Sequence, residues 1–336
     1  MPYTVQVPRF RGQGKIIFAD YEYADPGIGE LLVRVQANAI CGSDRGQYFN
    51  GSSVIPGHEA AGTVVAAGPD TTIPIGTRGV VYLMGFCGQC RSCLVGATNQ
   101  CRFKRADMGF TADGGFGPYE LVQDSAFFPV TDDIEIGNAT LLLDVMGTSG
   151  HALSRAALVR PDIESVFIAG AGPIGLGLLV MTKLRNGADF LVFVSDISPW
   201  RLDFAESLGA TPVLATGQSA VGLPPEVDVA FDSSGKESAR RTALDLVSQR
   251  GVLVCVGHGE GLSLNVSDDL LAPERAIMGS EYFRFDELAE NLLLLQVHQE
   301  SIARIVSHRV AVSDIGDAFE LFWSGRTGKV LITQEA

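Results

Sequence analysis

The sequence predicts an α/β chain in two parts, an irregular β-barrel followed by a doubly wound parallel sheet. Three observations carry this. Over the first third, short runs rich in β-branched residues alternate with turns of Gly and Pro. From residue 165 onward, strand patterns and helix patterns take turns. A glycine triplet stands at the first of those strand-to-helix junctions.

With 336 residues the chain is long enough for two domains. A hydrophobic share of 46% and a charged share of 19% are ordinary for a globular protein. The net charge of −14 repels nucleic acid and anionic membrane, which favours small-molecule chemistry. The opening MPYTVQVPRFRGQGK has no apolar core of a signal peptide, so a cytoplasmic location is expected. The longest uncharged run, Val166 to Thr182, is short for a membrane span and is broken by glycine. Six cysteines without an export signal point to thiolates and metal rather than disulfides.

Residues 1–40 read as strands: LLVRVQANAI alternates, and DPGIGE before it is a turn. Next comes CGSDRGQYFNGSSVIPGHE, with Cys41 and His58 seventeen residues apart. Thiolate and imidazole suit zinc. Ser43, Asp44 and Glu59 beside them suit ligand support and proton movement. Alone, such a pair reads more plainly as two unrelated core residues. AAGTVVAAG and TRGVVYLMG then continue the strands. In CGQCRSCLVGATNQC, the residues Cys87, Cys90, Cys93 and Cys101 have the spacing C-x2-C-x2-C-x7-C. Four thiolates so close can enclose one ion as a structural zinc site. Four free surface thiols would be an oxidation liability. A nucleic-acid-binding zinc ribbon would find local cations in Arg91, Arg102, Lys104 and Arg105, against the acidic whole. ADGGFGPYELV reads as a glycine turn entering a strand, and residues 131–158 as mostly helical. Asp144 lies inside the apolar part of that helical stretch. It is either an exposed cap or a buried acid that needs a partner.

The segment 165–196 reads strand, glycine turn, helix, strand. Gly170 permits the tight turn, Gly172 lets backbone approach a pyrophosphate, and Gly175 lets helix pack on strand. Asp196 ends the second strand 21 residues after Gly175, where an acid holds the adenosine ribose hydroxyls. Further βα units follow, and Cys255 in GVLVCVG reads as a buried core residue. A helix near residue 290 and a final helix and strand close the chain.

With Cys41, His58-Glu59, the four-cysteine loop and the glycine triplet in this order, the sequence resembles the zinc-dependent medium-chain alcohol dehydrogenases. The resemblance implies a GroES-like catalytic domain over 1–148, a Rossmann NAD-binding domain over 149–282, and a return segment over 283–336 that completes the first. It implies a catalytic zinc on Cys41, His58 and Asp144, with Glu59 the competing third ligand, and a structural zinc on the four cysteines. His151 stands seven residues after Asp144, in the motif that follows the third ligand. Thr148 and Ile174 would back the nicotinamide, and Arg201 would reach the adenosine ribose or its phosphate. Ser43 would take the alcohol proton. Gly46 stands where many members have a relay histidine, and Gly42 where some place a cation for the phosphate. Phe49, Leu83, Phe86 and Phe116 lie on loops that would shape the substrate pocket. The implied activity is hydride transfer between an alcohol, secondary or polyol, and NAD, in a homodimer or homotetramer. From Asp196, NAD is expected over NADP, although Ser195, Ser198 and Arg201 could receive a 2′-phosphate. The alternatives are an NADP-linked carbonyl reductase and a zinc- and nucleotide-binding redox sensor without catalysis.

Overall fold

A computed structural model describes residues 3–216 and 219–334. The chain separates into two compact units. One comprises Met1–Leu143, Phe283–Ser324 and Lys329–Ala336; the other comprises Asp144–Tyr282 and Gly325–Gly328.

In the first unit, β1 (Tyr3–Phe10) and β2 (Ile16–Tyr23) form an antiparallel hairpin. β3 (Glu30–Ala39), β4 (Ala60–Ala67) and β5 (Arg78–Val81) then build an antiparallel sheet. β6 (Met84–Gly85) and β7 (Ala106–Asp107) pair across the cysteine loop. β8 (Tyr119–Gln123) returns to β3, and β9 (Phe127–Pro129) pairs with β5.

The second unit holds β10 (Ser165–Ala169), β11 (Leu191–Asp196), β12 (Thr211–Thr216) and β13 (Ser219–Val221). It also holds β14 (Val227–Asp232), β15 (Val247–Cys255) and β16 (Ala276–Gly279). Their spatial order is β13-β12-β11-β10-β14-β15-β16, parallel throughout except for β13. The chain winds outward from β10 to β12 and then returns to β14, so the order reverses between β10 and β14. Such a reversal opens a crevice at the carboxyl ends of the strands. Helices Pro173–Asn186, Pro199–Ser207 and Glu237–Leu246 make the crossovers. Val166, Phe167, Ile168 and Ala169 are all fully buried, because a parallel strand in a doubly wound sheet has no wet face.

Back in the first unit, β17 (Val306–Ala311) and β18 (Lys329–Thr333) pair in parallel, and β18 joins β3. Helix Ile315–Trp323 buries Ile315, Ala318, Phe319 and Phe322, an i, i+3, i+4, i+7 stripe. Phe319 meets Phe10 edge-on at 5.1 Å, and Phe10 stacks on Phe116 at 6.0 Å. Large rings of this kind carry much of a core's apolar area, so helix Ile315–Trp323 is bound into the first unit by packing, as β18 is by strand pairing.

One sequence expectation gains detail and one needs adjusting. Residues 131–158 are mostly helical, as expected, but in successive short pieces. Short turns at Ile136–Ala139 and Thr140–Leu142 lead into a π-helical turn at Leu143–Thr148, then helix Ser149–Ala157. Cys255 is half-buried, because it ends β15 where the strand opens into a loop. No helix among the described residues is long and apolar enough to cross a membrane.

Candidate active site

β3 delivers Cys41 to the interior, where it is 6% exposed. The chain then turns through Gly42–Asp44, and the fully buried Asp44 faces back: its Oδ2 accepts the Cys41 N–H at 2.9 Å. Its Oδ1 lies 3.4 Å from His58 Nδ1. A carboxylate on one ring nitrogen orients the imidazole and leaves the other for a ligand. That other nitrogen, Nε2, lies 3.4 Å from Ser43 Oγ.

Gly57 makes the approach to His58 possible. Its φ is +99°, and a Cβ there would sit 2.7 Å from Asn38 Nδ2 and 2.8 Å from the Phe116 nitrogen. Asn38, on β3, accepts the Glu59 N–H at 3.0 Å. The Glu59 carboxylate contacts the Lys329 ammonium through Oε1, and both side chains are fully buried. Asp144 lies in the π-helical turn where the chain enters the second unit, 4% exposed, and accepts the Thr148 hydroxyl at 2.9 Å. One ligand atom from each of Cys41, His58, Glu59 and Asp144 falls within 4.8 Å of the others. Thiolate, imidazole and carboxylate form a donor set that fits zinc with one position left open. Glu59 has a countercharge in Lys329, and Asp144 takes a hydroxyl hydrogen from Thr148.

The four-cysteine loop is also a fitted donor set. Cys90 Sγ lies 3.5 Å from Cys93 Sγ and 4.0 Å from Cys101 Sγ, and Cys87 Sγ lies 3.9 Å from Cys93 Sγ. A tetrahedron with metal–sulfur bonds of about 2.3 Å has edges of about 3.8 Å. The backbone N–H groups of Cys93 and Arg102 pull the Cys90 thiol down to about 6. Burial, reinforced by the neighbouring sulfurs, pushes Cys93 up to about 12. A metal ion among them would deprotonate all four and offset their mutual repulsion.

In the second unit the glycine turn has the expected form. Gly170 has φ +104°, and a Cβ on Gly175 would lie 1.8 Å from the Gly170 carbonyl oxygen. A Cβ on Gly172 would meet no protein atom within 4 Å, so protein packing does not require that glycine, and the backbone there is open to the approach of a ligand. Asp196 accepts the Ala171 N–H through Oδ2 and the Ser198 N–H through Oδ1, each at 2.8 Å. This fixes the carboxylate beside the glycine turn and leaves lone pairs on both oxygens. The Ser195 hydroxyl turns to the Ile168 carbonyl at 3.5 Å, and the Ser198 hydroxyl donates to the Gly325 carbonyl at 2.8 Å. Both are therefore committed inside the protein. Arg201 follows on helix Pro199–Ser207. The Ile174 carbonyl accepts the Ser149 hydroxyl at 3.2 Å, which brings the Thr148 turn against the glycine turn.

Sequence reasoning missed Lys329 and Asn38, which hold Glu59 from two other strands. It also missed Glu120 on β8, which is fully buried and has no hydrogen-bond partner for either carboxyl oxygen among the described residues. Burial holds that carboxyl well above its ordinary range; nearby Asp113 pushes the same way and His58 opposes. Among the expected pocket residues, Phe116 and Leu83 are fully buried, and Phe116 belongs to the aromatic core around Phe10 and Phe319. Phe49 is 39% exposed and Phe86 half-buried.

Residues 27–132 match the alcohol dehydrogenase GroES-like domain, and residues 173–296 match the zinc-binding dehydrogenases. The chain is 30% identical to an L-threonine 3-dehydrogenase of Rhizobium johnstonii, over 91% of both chains. It is 28% identical to YphC, an uncharacterized zinc-type alcohol dehydrogenase-like protein of Escherichia coli K12, over 96% of both. Among solved structures it resembles a cobalt- and zinc-bound thermostable alcohol dehydrogenase of Pyrobaculum aerophilum. The TM-score is 0.84 and the identity 26%, over 98% of this chain and 100% of that one. A zinc-binding dehydrogenase of Sinorhizobium meliloti 1021, solved with NADP, gives a TM-score of 0.82 at 26% identity, over 98% and 99%. Two domain matches in the expected order, and relatives alike from end to end, establish that the chain belongs to the zinc-dependent alcohol dehydrogenase family, with a GroES-like domain and a Rossmann domain.

Proposed function

We propose that the chain is an NAD-dependent zinc alcohol dehydrogenase that oxidises a secondary alcohol or polyol, with residues 149–282 as its cofactor domain. The observation that carries this reading is the convergence of Cys41, His58 and Asp144 at one buried point with Ser43 beside it. These three residues would hold the catalytic zinc, and Cys87, Cys90, Cys93 and Cys101 a structural one. A zinc held there would supply the Lewis acidity that brings the alcohol's pKa toward neutrality, and a bound nicotinamide cofactor would supply the hydride acceptor.

The rest is the work of this chain's side chains. Asp44 holds the imidazole by its far nitrogen, so His58 presents Nε2 in one orientation. Lys329 neutralises Glu59 and keeps it from competing as a ligand. Thr148 steadies Asp144 through its hydroxyl, a task additional to any contact with the nicotinamide. Ser43 accepts the alcohol proton at Oγ and passes its own to water. Ser43 is exposed, and with Gly46 one turn on there is no imidazole to relay it. Asp196 favours NAD, since Ser195 and Ser198 are turned inward and only Arg201 remains to meet a 2′-phosphate. The threonine dehydrogenases among its relatives act on a substrate whose hydroxyl is secondary, which supports that substrate class. The NADP-bound relative favours the NADP-linked carbonyl reductase as the second reading. As for its setting, we infer a cytoplasmic homodimer or homotetramer.

The test is zinc-loaded protein with NAD against a panel of secondary alcohols, polyols and formaldehyde, following NADH absorbance. Turnover confined to NADP would select the reductase. Protein that binds zinc and NADH but turns over nothing would make it a binding protein.

A further inference from the structure

Arg240 sits on the first turn of helix Glu237–Leu246, 8% exposed, and its guanidinium is fully used. Nε donates to Asp232 Oδ2 at 2.8 Å. Nη2 donates to the Gly257 carbonyl at 2.8 Å, and Nη1 to the carbonyls of Glu260 and, at 3.3 Å, Gly261. The other oxygen of the fully buried Asp232 holds the loop after β14. It accepts the Ser234 N–H at 2.9 Å, the Ser234 hydroxyl at 2.7 Å and the Gly235 N–H at 3.1 Å. One ion pair therefore clamps two loops together, 232–236 after β14 and 256–261 after β15. They also touch directly, through the Glu260 N–H on the Gly235 carbonyl at 2.8 Å. Ser233 ties the same assembly to the glycine turn, donating to the Ala169 and Gly170 carbonyls, each at 3.0 Å.

The position of these loops matters because of the strand order. Asp196, at the end of β11, marks where the adenosine ribose lies, and the glycine turn after β10 marks the pyrophosphate. Continuing in the same direction across the sheet, the next carboxyl ends are those of β14 and then β15. The nicotinamide half of a dinucleotide laid along that line meets the two clamped loops. Gly257, Gly259 and Gly261 give the outer loop few side chains with which to anchor itself. The Val256 and Gly257 N–H groups reach the Asp232 carbonyl, and the Glu260 carboxylate meets Lys236 Nζ and the Glu237 N–H. On its other side the loop offers carbonyls, and Arg240 holds three of them.

We propose that Arg240, through Asp232, is a positioning residue for the nicotinamide half of the cofactor. This rests on the dinucleotide reading above. A planar fork reaches one carboxylate and three carbonyls together; an ammonium on a flexible stem does not.

The experiment titrates wild type, Arg240→Lys and Asp232→Asn with NADH and with ADP-ribose, which lacks the nicotinamide ring, well below each melting temperature. Arg240→Lys is expected to weaken NADH about tenfold or more, the effect of losing one or two charge-assisted hydrogen bonds, with ADP-ribose within about twofold. Asp232→Asn, which keeps an acceptor and the size, should show the same split more weakly. Equal weakening of both probes, or no change in either, would overturn the proposal, as would failure of both variants to fold. Wild type that binds neither probe would instead overturn the dinucleotide reading, so the two failures are distinguishable.

Discussion

Replacing Lys329 by Met tests how the site's carboxylates are divided. Lys329 and Glu59 are both fully buried and in direct contact, so solvent does not screen the pair. Methionine has nearly the same length and leaves the Glu59 carboxylate without its countercharge. Breaking a buried pair from one side costs about 3–5 kcal/mol, because the remaining charge is uncompensated. A domain of 150–250 residues loses about 2–4 °C per kcal/mol, so the melting temperature of the first unit should fall by about 6–20 °C. The double variant Lys329→Met with Glu59→Gln should recover much of this, since removing both charges leaves none stranded. Calorimetry on the four proteins of the cycle gives the coupling directly, with about 2 kcal/mol or more expected. In the single variant, Glu59 is also free to turn toward the Cys41–His58 site and compete with Asp144, so kcat should fall before the protein melts. A single variant within about 2 °C of wild type, and a double variant no more stable than the single, would refute the reasoning. Lys329 would then be reaching solvent, and Glu59 would not depend on it.

Four further outcomes are expected. Metal analysis of fresh protein should find about two zinc equivalents; Cys41→Ala should remove one, and Cys90→Ser the other together with thermal stability. Asp144→Asn should lower zinc affinity and kcat about 10–100-fold or more; full retention there, with loss in Glu59→Gln, would move the ligand to Glu59. In kcat/KM, NAD should exceed NADP by about tenfold to several hundredfold. A 2′-phosphate beside Asp196 costs about 1–4 kcal/mol, and Asp196→Gly should narrow the ratio even if it loosens both cofactors. Glu120 should make stability fall as pH rises. Its folded pKa is raised, so above the unfolded value near 4.5 the unfolded chain releases a proton that the native state keeps. Denaturation from pH 4 to 8 should find Glu120→Gln equal to wild type in acid and more stable above it. Within that window the gap should widen by up to about 1.4 kcal/mol per pH unit; a constant gap would mean that Glu120 titrates normally.

What the sequence reveals of this site depends on how far apart its partners lie. The cysteines of the metal loop fall within fifteen residues, and the glycine triplet within six, so local spacing carries their meaning. Lys329 lies 270 residues beyond Glu59. No local spacing links them; only the pairing of β18 with β3 brings them together. Yet each missed charge leaves a trace in strand phase. Along β8 the buried residues alternate, and Glu120 shares the inward phase with Val122. Lys329 opens β18, whose first four residues are all buried. A charge in the buried phase of a strand must find a countercharge, bind a metal or remain neutral. Period-two patterning can therefore single out Glu120, and the continuous apolar run after Lys329 can single out that lysine, but neither says which solution the charge adopts. The fold gives Lys329 a carboxylate partner in Glu59. It gives Glu120 burial beside Asp113, which holds that carboxyl well above its ordinary range. Phe116 shows the converse: a loop aromatic in a glycine-rich turn reads as pocket lining, until Phe10 and Phe319 enclose it from opposite ends of the chain.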